Sequence, residues 1–188
     1  VNINKSLHAI DRQKELLAYS LGYSPTSDIN YGISKVKFLK PVMVLPARYF
    51  VLVQNASWPT KQWPITCWKD LVLHLDGYGV NVLLPSGNKE ELLRAKDIAS
   101  VSEKATALEI LPLNEIAYII DNADYCICSD TGLAHLSAVV NTPSLTLYGP
   151  TDINLIGTKG NNQSHIVGNN GDINNISVEE VINKLPIL

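Results

Sequence analysis

No stretch of this 188-residue chain approaches the ~20 consecutive apolar residues that span a bilayer, so no transmembrane helix is expected. Cysteine is scarce: Cys67, Cys126 and Cys128 make an odd count without the paired spacing of a zinc site. That argues against a disulfide scaffold and fits a reducing compartment, the cytoplasm. No metal is expected. The formal charge is −3 and no Lys/Arg-rich run occurs, so there is no basic field to draw nucleic acid. The chain opens Val1-Asn2-Ile3-Asn4-Lys5, with neither a start Met nor a signal-peptide pattern. The expectation is a fragment of a longer protein.

What is present is a core. Hydrophobic residues make up 46% and charged residues 18%, enough apolar material for one full domain plus a short extra segment. Residues 6–20 read as a helix with Ser6 as its cap and Gly22 as its stop. Residues 23–46 carry three prolines and broken periodicity, the signature of a linker or wandering loop. From residue 47 the pattern becomes regular. Apolar runs at 49–54, 80–84, 107–111, 124–128 and 144–147 read as buried strands, with a short sixth at 165–167. Helical spacing falls between them at 65–75, 89–99, 113–122 and 131–140, and a last helix closes the chain at 177–185. Alternating strands and helices with uniformly apolar strands imply a doubly wound parallel α/β sheet, Rossmann-like and covered on both faces. Cys126 and Cys128, two apart on a strand, share a face; core packing is the expectation, with a redox or metal role the alternative.

Ligands of such sheets bind beyond the carboxyl ends of the strands. Three polar clusters follow predicted strands there: residues 55–64, residues 85–91, and Ser129 to His135. In the third, Asp130 is expected as an N-cap with Thr131 and Gly132 opening the helix. The free N–H groups and the positive end of the helix dipole make an anion site. Thr131 and His135, four apart, share one helix face. An ordinary capped helix with a stray histidine gives the same pattern. Lys61, held between Pro59 and Pro64, could neutralise a diphosphate or be a solvated charge. Trp58 and Trp63 read equally as stacking platforms or as core anchors. Glu91, in the first turn after the second strand, fits a ribose acceptor or a simple helix-dipole carboxylate, with Glu90 as the control. The first strand is not followed by Gly-x-Gly-x-x-Gly, which favours a nucleotide-sugar site over a dehydrogenase.

Lys61-Gln62-Trp63-Pro64, Leu84-Pro85-Ser86-Gly87 followed by Glu91, Asp130 to His135, and Tyr148-Gly149-Pro150-Thr151-Asp152 occur in one order. In that order they resemble the ADP-heptose:lipopolysaccharide heptosyltransferases. The leading segment from His8 to Tyr23 looks like the stretch entering the C-terminal half of the heptosyltransferase I branch. The resemblance implies the C-terminal, nucleotide-sugar-binding domain of an inverting GT-B glycosyltransferase. Residues 1–46 would then be the leading helix and interdomain segment, and 47–188 the donor domain. It implies Lys61 on the diphosphate, Glu91 on the adenosine ribose and Asp130 on the heptose hydroxyls. Thr131 and Gly132 would supply backbone donors, with His135 beside the phosphates. Where members of the family often carry Thr-Thr or Ser-Arg, this chain has Ser57-Trp58-Pro59-Thr60, so Ser57 or Thr60 would substitute. The general base, an aspartate, is expected in an N-terminal domain, and no catalytic residue is expected in this chain, which alone would be inactive. The implied partners are an ADP-sugar donor, ADP-heptose, and a Kdo–lipid A acceptor at the cytoplasmic face of the inner membrane. A related transferase using another nucleotide sugar and a non-catalytic nucleotide-binding module remain open at this point.

Overall fold

The computed structural model describes residues 2–26 and 29–186. Six parallel strands form one sheet in the order β3-β2-β1-β4-β5-β6. They are β1 (Tyr49–Val53), β2 (Asn81–Leu84), β3 (Ala105–Ala107), β4 (Tyr125–Ser129), β5 (Ser144–Tyr148) and β6 (Gln163–Val167). The helices are α1 (Ala9–Leu21), α2 (Ile65–Gly77), α3 (Lys89–Ala99), α4 (Leu113–Asp121), α5 (Gly132–Val140), α6 (Ile153–Ile156) and α7 (Val178–Ile182). Sequence order reverses between β1 and β4, which pair from Phe50↔Tyr125 to Val53↔Cys128. That reversal is where a doubly wound sheet opens its binding crevice.

The period of two along each strand divides the core into two layers. Phe50, Leu52, Val82, Leu84, Ile127 and Leu145 face α2, α3 and α7. Tyr49, Val51, Val53, Cys126 and Cys128 face α4 and α5. The two cysteines therefore lie on one face, fully buried and free, and burial pushes both thiols upward. Trp63 is a core anchor, with its indole N–H on the Ile176 carbonyl at 2.9 Å and its ring edge-on to Trp68. Trp58 is 68% exposed.

The boundaries depart from expectation in specific ways. The first helix is capped by His8, not Ser6: the His8 ring accepts from the Ile10 N–H, while Ser6 hydrogen-bonds Asn4. Gly22 ends it in the left-handed region, as its lack of a Cβ allows. The third strand lies at Ala105–Ala107 rather than 107–111. The apolar run continues past it because Leu108 is buried in the second core layer and Leu111 turns toward a cleft. The segment expected as a linker is fastened to the domain, although Ser27 and Asp28 fall outside the described residues. Phe38, Met43 and Leu45 pack on the second core layer. Lys35 pairs with Asp121 at 2.5 Å, and the Leu39 N–H reaches the Asn114 carbonyl. The leading helix is tied to the segment after α6. His8 meets the Gly157 carbonyl at 2.9 Å and Asp11 pairs with Lys159 at 2.5 Å. No helix among the described residues is long and apolar enough to cross a membrane.

Candidate nucleotide-sugar site

Each polar cluster is set by the end of a strand. β1 runs out at Val53 into a loop that tightens into a 3-10 turn over Pro59–Lys61, with Pro59 fixing its first residue. Gly149 packs against that turn so closely that a Cβ there would stand 2.5 Å from the Thr60 carbonyl. β2 ends at Leu84 and passes through Pro85 to Gly87 into α3, where Asn88 caps the helix by accepting from the Glu91 N–H at 2.9 Å. β4 ends at Ser129, and α5 begins two residues after Asp130.

The three clusters open on one cleft of about 730 Å³. Ser57, Glu91, Thr131, Gly132 and His135 line it. Its other wall is apolar, with Ile33 reaching in from the leading segment to join Leu111 and Leu136. Five buried polar atoms without a hydrogen-bond partner gather at these strand ends: Gln54 Oε1, Asn55 Nδ2, Ser86 Oγ, Ser129 Oγ and Thr131 Oγ1. A buried polar group left unpaired costs about 1–3 kcal/mol, so a concentration of them marks a surface built to meet another polar molecule.

The start of α5 differs from the sequence expectation by one residue. Thr131, not Asp130, is the N-cap, with extended backbone and no side-chain capping bond. Asp130 is drawn instead toward charge. Its Oδ2 pairs with Lys61 Nζ at 2.6 Å and accepts from Thr151 Oγ1 at 2.5 Å. Lys61 and Asp130 therefore face each other beside the cleft, and neither is among its lining residues. The Thr60 backbone supports the loop, while its side chain is exposed. The first N–H groups of α5 have no partner within the helix, and the dipole adds partial positive charge there. His135, one turn along, is half-buried, and burial pushes its imidazole below the ordinary value. Asp130 opposes that drop, and the charges of His8 and Lys61 add to it.

Glu91 serves the helix as well as the cleft. Its carboxylate accepts from the Gly87 N–H at 2.7 Å and from Asn88 Nδ2 at 2.9 Å, closing a reciprocal cap at the start of α3. Glu90, its neighbour, makes neither contact. The arrangement presents a helix N-terminus and the Glu91 carboxylate on a cleft with one apolar wall, with the Lys61–Asp130 pair beside it. Such a surface can hold a flat ring, a polyol and an anion. Among the described residues no group of three or more His, Cys, Asp or Glu side chains could hold a metal ion.

Sequence reasoning gave no role to Thr151, Ile33 or the unpartnered Asn55 and Ser86. The signal for Thr151 was its position in Gly149-Pro150-Thr151-Asp152, directly beyond β5, the strand paired with the one that ends just before Asp130. Ile33 carried none, because it precedes the regular pattern.

Residues 1–185 match the model of glycosyltransferase family 9 (heptosyltransferase). The chain belongs to that family. It is 35% identical over 185 residues to lipopolysaccharide heptosyltransferase 1 of Salmonella typhimurium strain LT2, covering 98% of this chain and 58% of that protein. The corresponding Escherichia coli K12 protein is 34% identical across the whole chain and 59% of its own length. Among solved structures, E. coli heptosyltransferase WaaC with ADP superposes with a TM-score of 0.88 at 33% identity, over 97% of this chain and 57% of that one. WaaC with ADP-2-deoxy-2-fluoro heptose gives 0.85 at 30% identity, over 97% and 56%. The family 9 chain thus spans somewhat more than half the length of the relatives it matches.

Proposed function

We propose that this chain is the donor-binding half of an inverting glycosyltransferase that moves L-glycero-D-manno-heptose from ADP-heptose to the Kdo of the lipopolysaccharide inner core. Residues 1–46 form its leading and interdomain segment and 47–188 its nucleotide-sugar domain. The observation that carries the reading is the cleft at the β1/β4 reversal, where Glu91, Thr131, Gly132 and His135 converge beside the Lys61–Asp130 pair. Its support from outside is likeness to a protein solved with ADP and with a fluorinated ADP-heptose.

In this reading the adenosine lies against the apolar wall with its ribose toward Glu91. The diphosphate meets the N-terminus of α5 and the ammonium of Lys61, with Ser57 or Thr60 adding hydroxyl contacts. Asp130 accepts from the heptose hydroxyls. As the anomeric C–O bond breaks, negative charge grows on the departing ADP, and the Lys61 ammonium with the α5 N–H groups stabilises it where it develops. No metal is required for that step. The acceptor hydroxyl is deprotonated by an aspartate on the N-terminal half of the whole protein, so this chain alone grips the donor without completing transfer. The whole enzyme works in the cytoplasm against the inner-membrane face, where its Kdo–lipid A acceptor lies.

Isothermal calorimetry tests the reading. The folded chain binds ADP, Lys61→Ala weakens that binding on the order of tenfold or more, and Asp130→Ala weakens ADP-heptose binding. A folded chain that gives no heat with ADP overturns it. A preference for UDP-sugars over ADP-sugars overturns the heptose donor.

A further inference from the structure

We infer that Thr151 is a positioning residue for the donor sugar: its hydroxyl fixes the Asp130 carboxylate so that one oxygen is presented to the glycosyl group. The inference rests on the donor-site reading above and extends it to a residue outside the cleft lining.

Asp130 carries two contacts, and both fall on the same oxygen. Lys61 Nζ lies 2.6 Å from Oδ2, and Thr151 Oγ1 donates to Oδ2 at 2.5 Å. Among the described residues no hydrogen bond or ion pair engages Oδ1. A carboxylate held by one oxygen is fixed in rotation while the other stays available as an acceptor. The Asp130 side chain is only 7% exposed, so its orientation is a property of these neighbours rather than of solvent.

The two holders differ in permanence. Lys61 sits at the end of a flexible four-carbon stem, 23% exposed, and an arriving diphosphate competes for its ammonium. Thr151 has a short, stiff side chain whose backbone is clamped from both sides. Upstream, β5 runs in register beside β4, pairing Leu147 with Ser129 immediately before Asp130. Gly149 then abuts the Thr60 carbonyl without room for a Cβ. Downstream, Asp152 caps α6 by accepting from the Asn154 N–H at 2.9 Å. When the diphosphate takes Lys61, the Thr151 hydroxyl is the contact that keeps Asp130 aimed. No bond is made or broken at Thr151; its effect passes through Asp130.

The test is the ratio of ADP-heptose affinity to ADP affinity, measured by calorimetry on the chain and on Thr151→Val and Thr151→Ser. Thr151→Val lowers the ratio about tenfold, the worth of a hydrogen bond to a charged group, and Thr151→Ser restores it. Thermal melting checks that each variant is folded, with Thr151→Ala standing in if the valine form fails. A loss of both affinities in proportion, or a serine form as impaired as valine, shows a merely structural role and overturns the inference. A wild-type chain that binds neither ligand overturns the donor-site reading itself. A wild-type chain that binds both, with an unchanged ratio in Thr151→Val, overturns only the role of Thr151.

Discussion

His135 and His165 are both half-buried imidazoles, and burial is the main reason both are pushed below the ordinary value of about 6.5. Around His135 the Asp130 carboxylate opposes the drop, while His8 and Lys61 add to it. For His165 the Thr158 carbonyl opposes, and Lys184 adds. The unfolded chain therefore takes up these protons first. Between about 6.5 and the depressed folded values, stability falls as pH falls. Melting curves should shift downward on acidification through that window, and the His135→Gln, His165→Gln double variant should flatten the shift. An equally steep drop in the double variant would assign the effect to other groups. A residue's type and its spacing show in a sequence, which is why His135 could be named in advance. Its partners do not: the Lys61–Asp130 contact joins positions 69 apart, and Thr151 reaches Asp130 from the loop beyond β5. The Asp130 carboxylate is engaged by Lys61 and Thr151, and the N-cap falls one residue later, on Thr131.

At the scale of elements, local chemistry and tertiary packing divided the boundaries between them. α3 matched its expected span because both of its ends are written locally: Asn88 caps its start ahead of an acidic first turn, and Lys96 lies in its last turn. β3 was displaced because the run through Leu111 is apolar for two unrelated reasons, core burial and the cleft wall, which periodicity cannot separate. α6 was missed, being a single turn started by Asp152. The double duty of Glu91 is also an element-level matter, and it makes a prediction. Glu91→Ala removes acceptors for Gly87 N–H and Asn88 Nδ2 and should lower stability by about 1 kcal/mol, the cost of a lost helix cap. Glu90→Ala, without those contacts, should stay within about 0.5 kcal/mol of the parent. If Glu91 also meets the ribose, Glu91→Ala weakens ADP binding while Glu90→Ala does not. Denaturant melts and calorimetry on the two variants separate the roles, and equal ADP affinity in both would leave Glu91 a cap alone.

Across the whole molecule, the cleft is assembled from parts that fold at a distance from one another. One wall hangs from β2 through the start of α3, another from β4 through the start of α5, and Ile33 comes from the leading segment ahead of the sheet. That the sheet is parallel and doubly wound was legible in the alternation of strands and helices; the strand order was not, nor was the contribution of residues 29–46, since an irregular segment gives no period to read. That segment is held by side chains, Lys35 on Asp121 and Phe38, Met43 and Leu45 in the second core layer, and by few backbone bonds. Segments held this way open more readily than core strands. A ligand that fills the cleft touches all three walls, so it must stabilise them together. With ADP at about 100 times its dissociation constant, the linkage amounts to about 2.7 kcal/mol. Hydrogen exchange should then slow not only at residues 87–91 and 131–135 but also around Ile33, although Ile33 lies outside every strand and helix. Slowing at the strand ends with no change around Ile33 would show that the leading segment lines the empty cleft without taking part in binding.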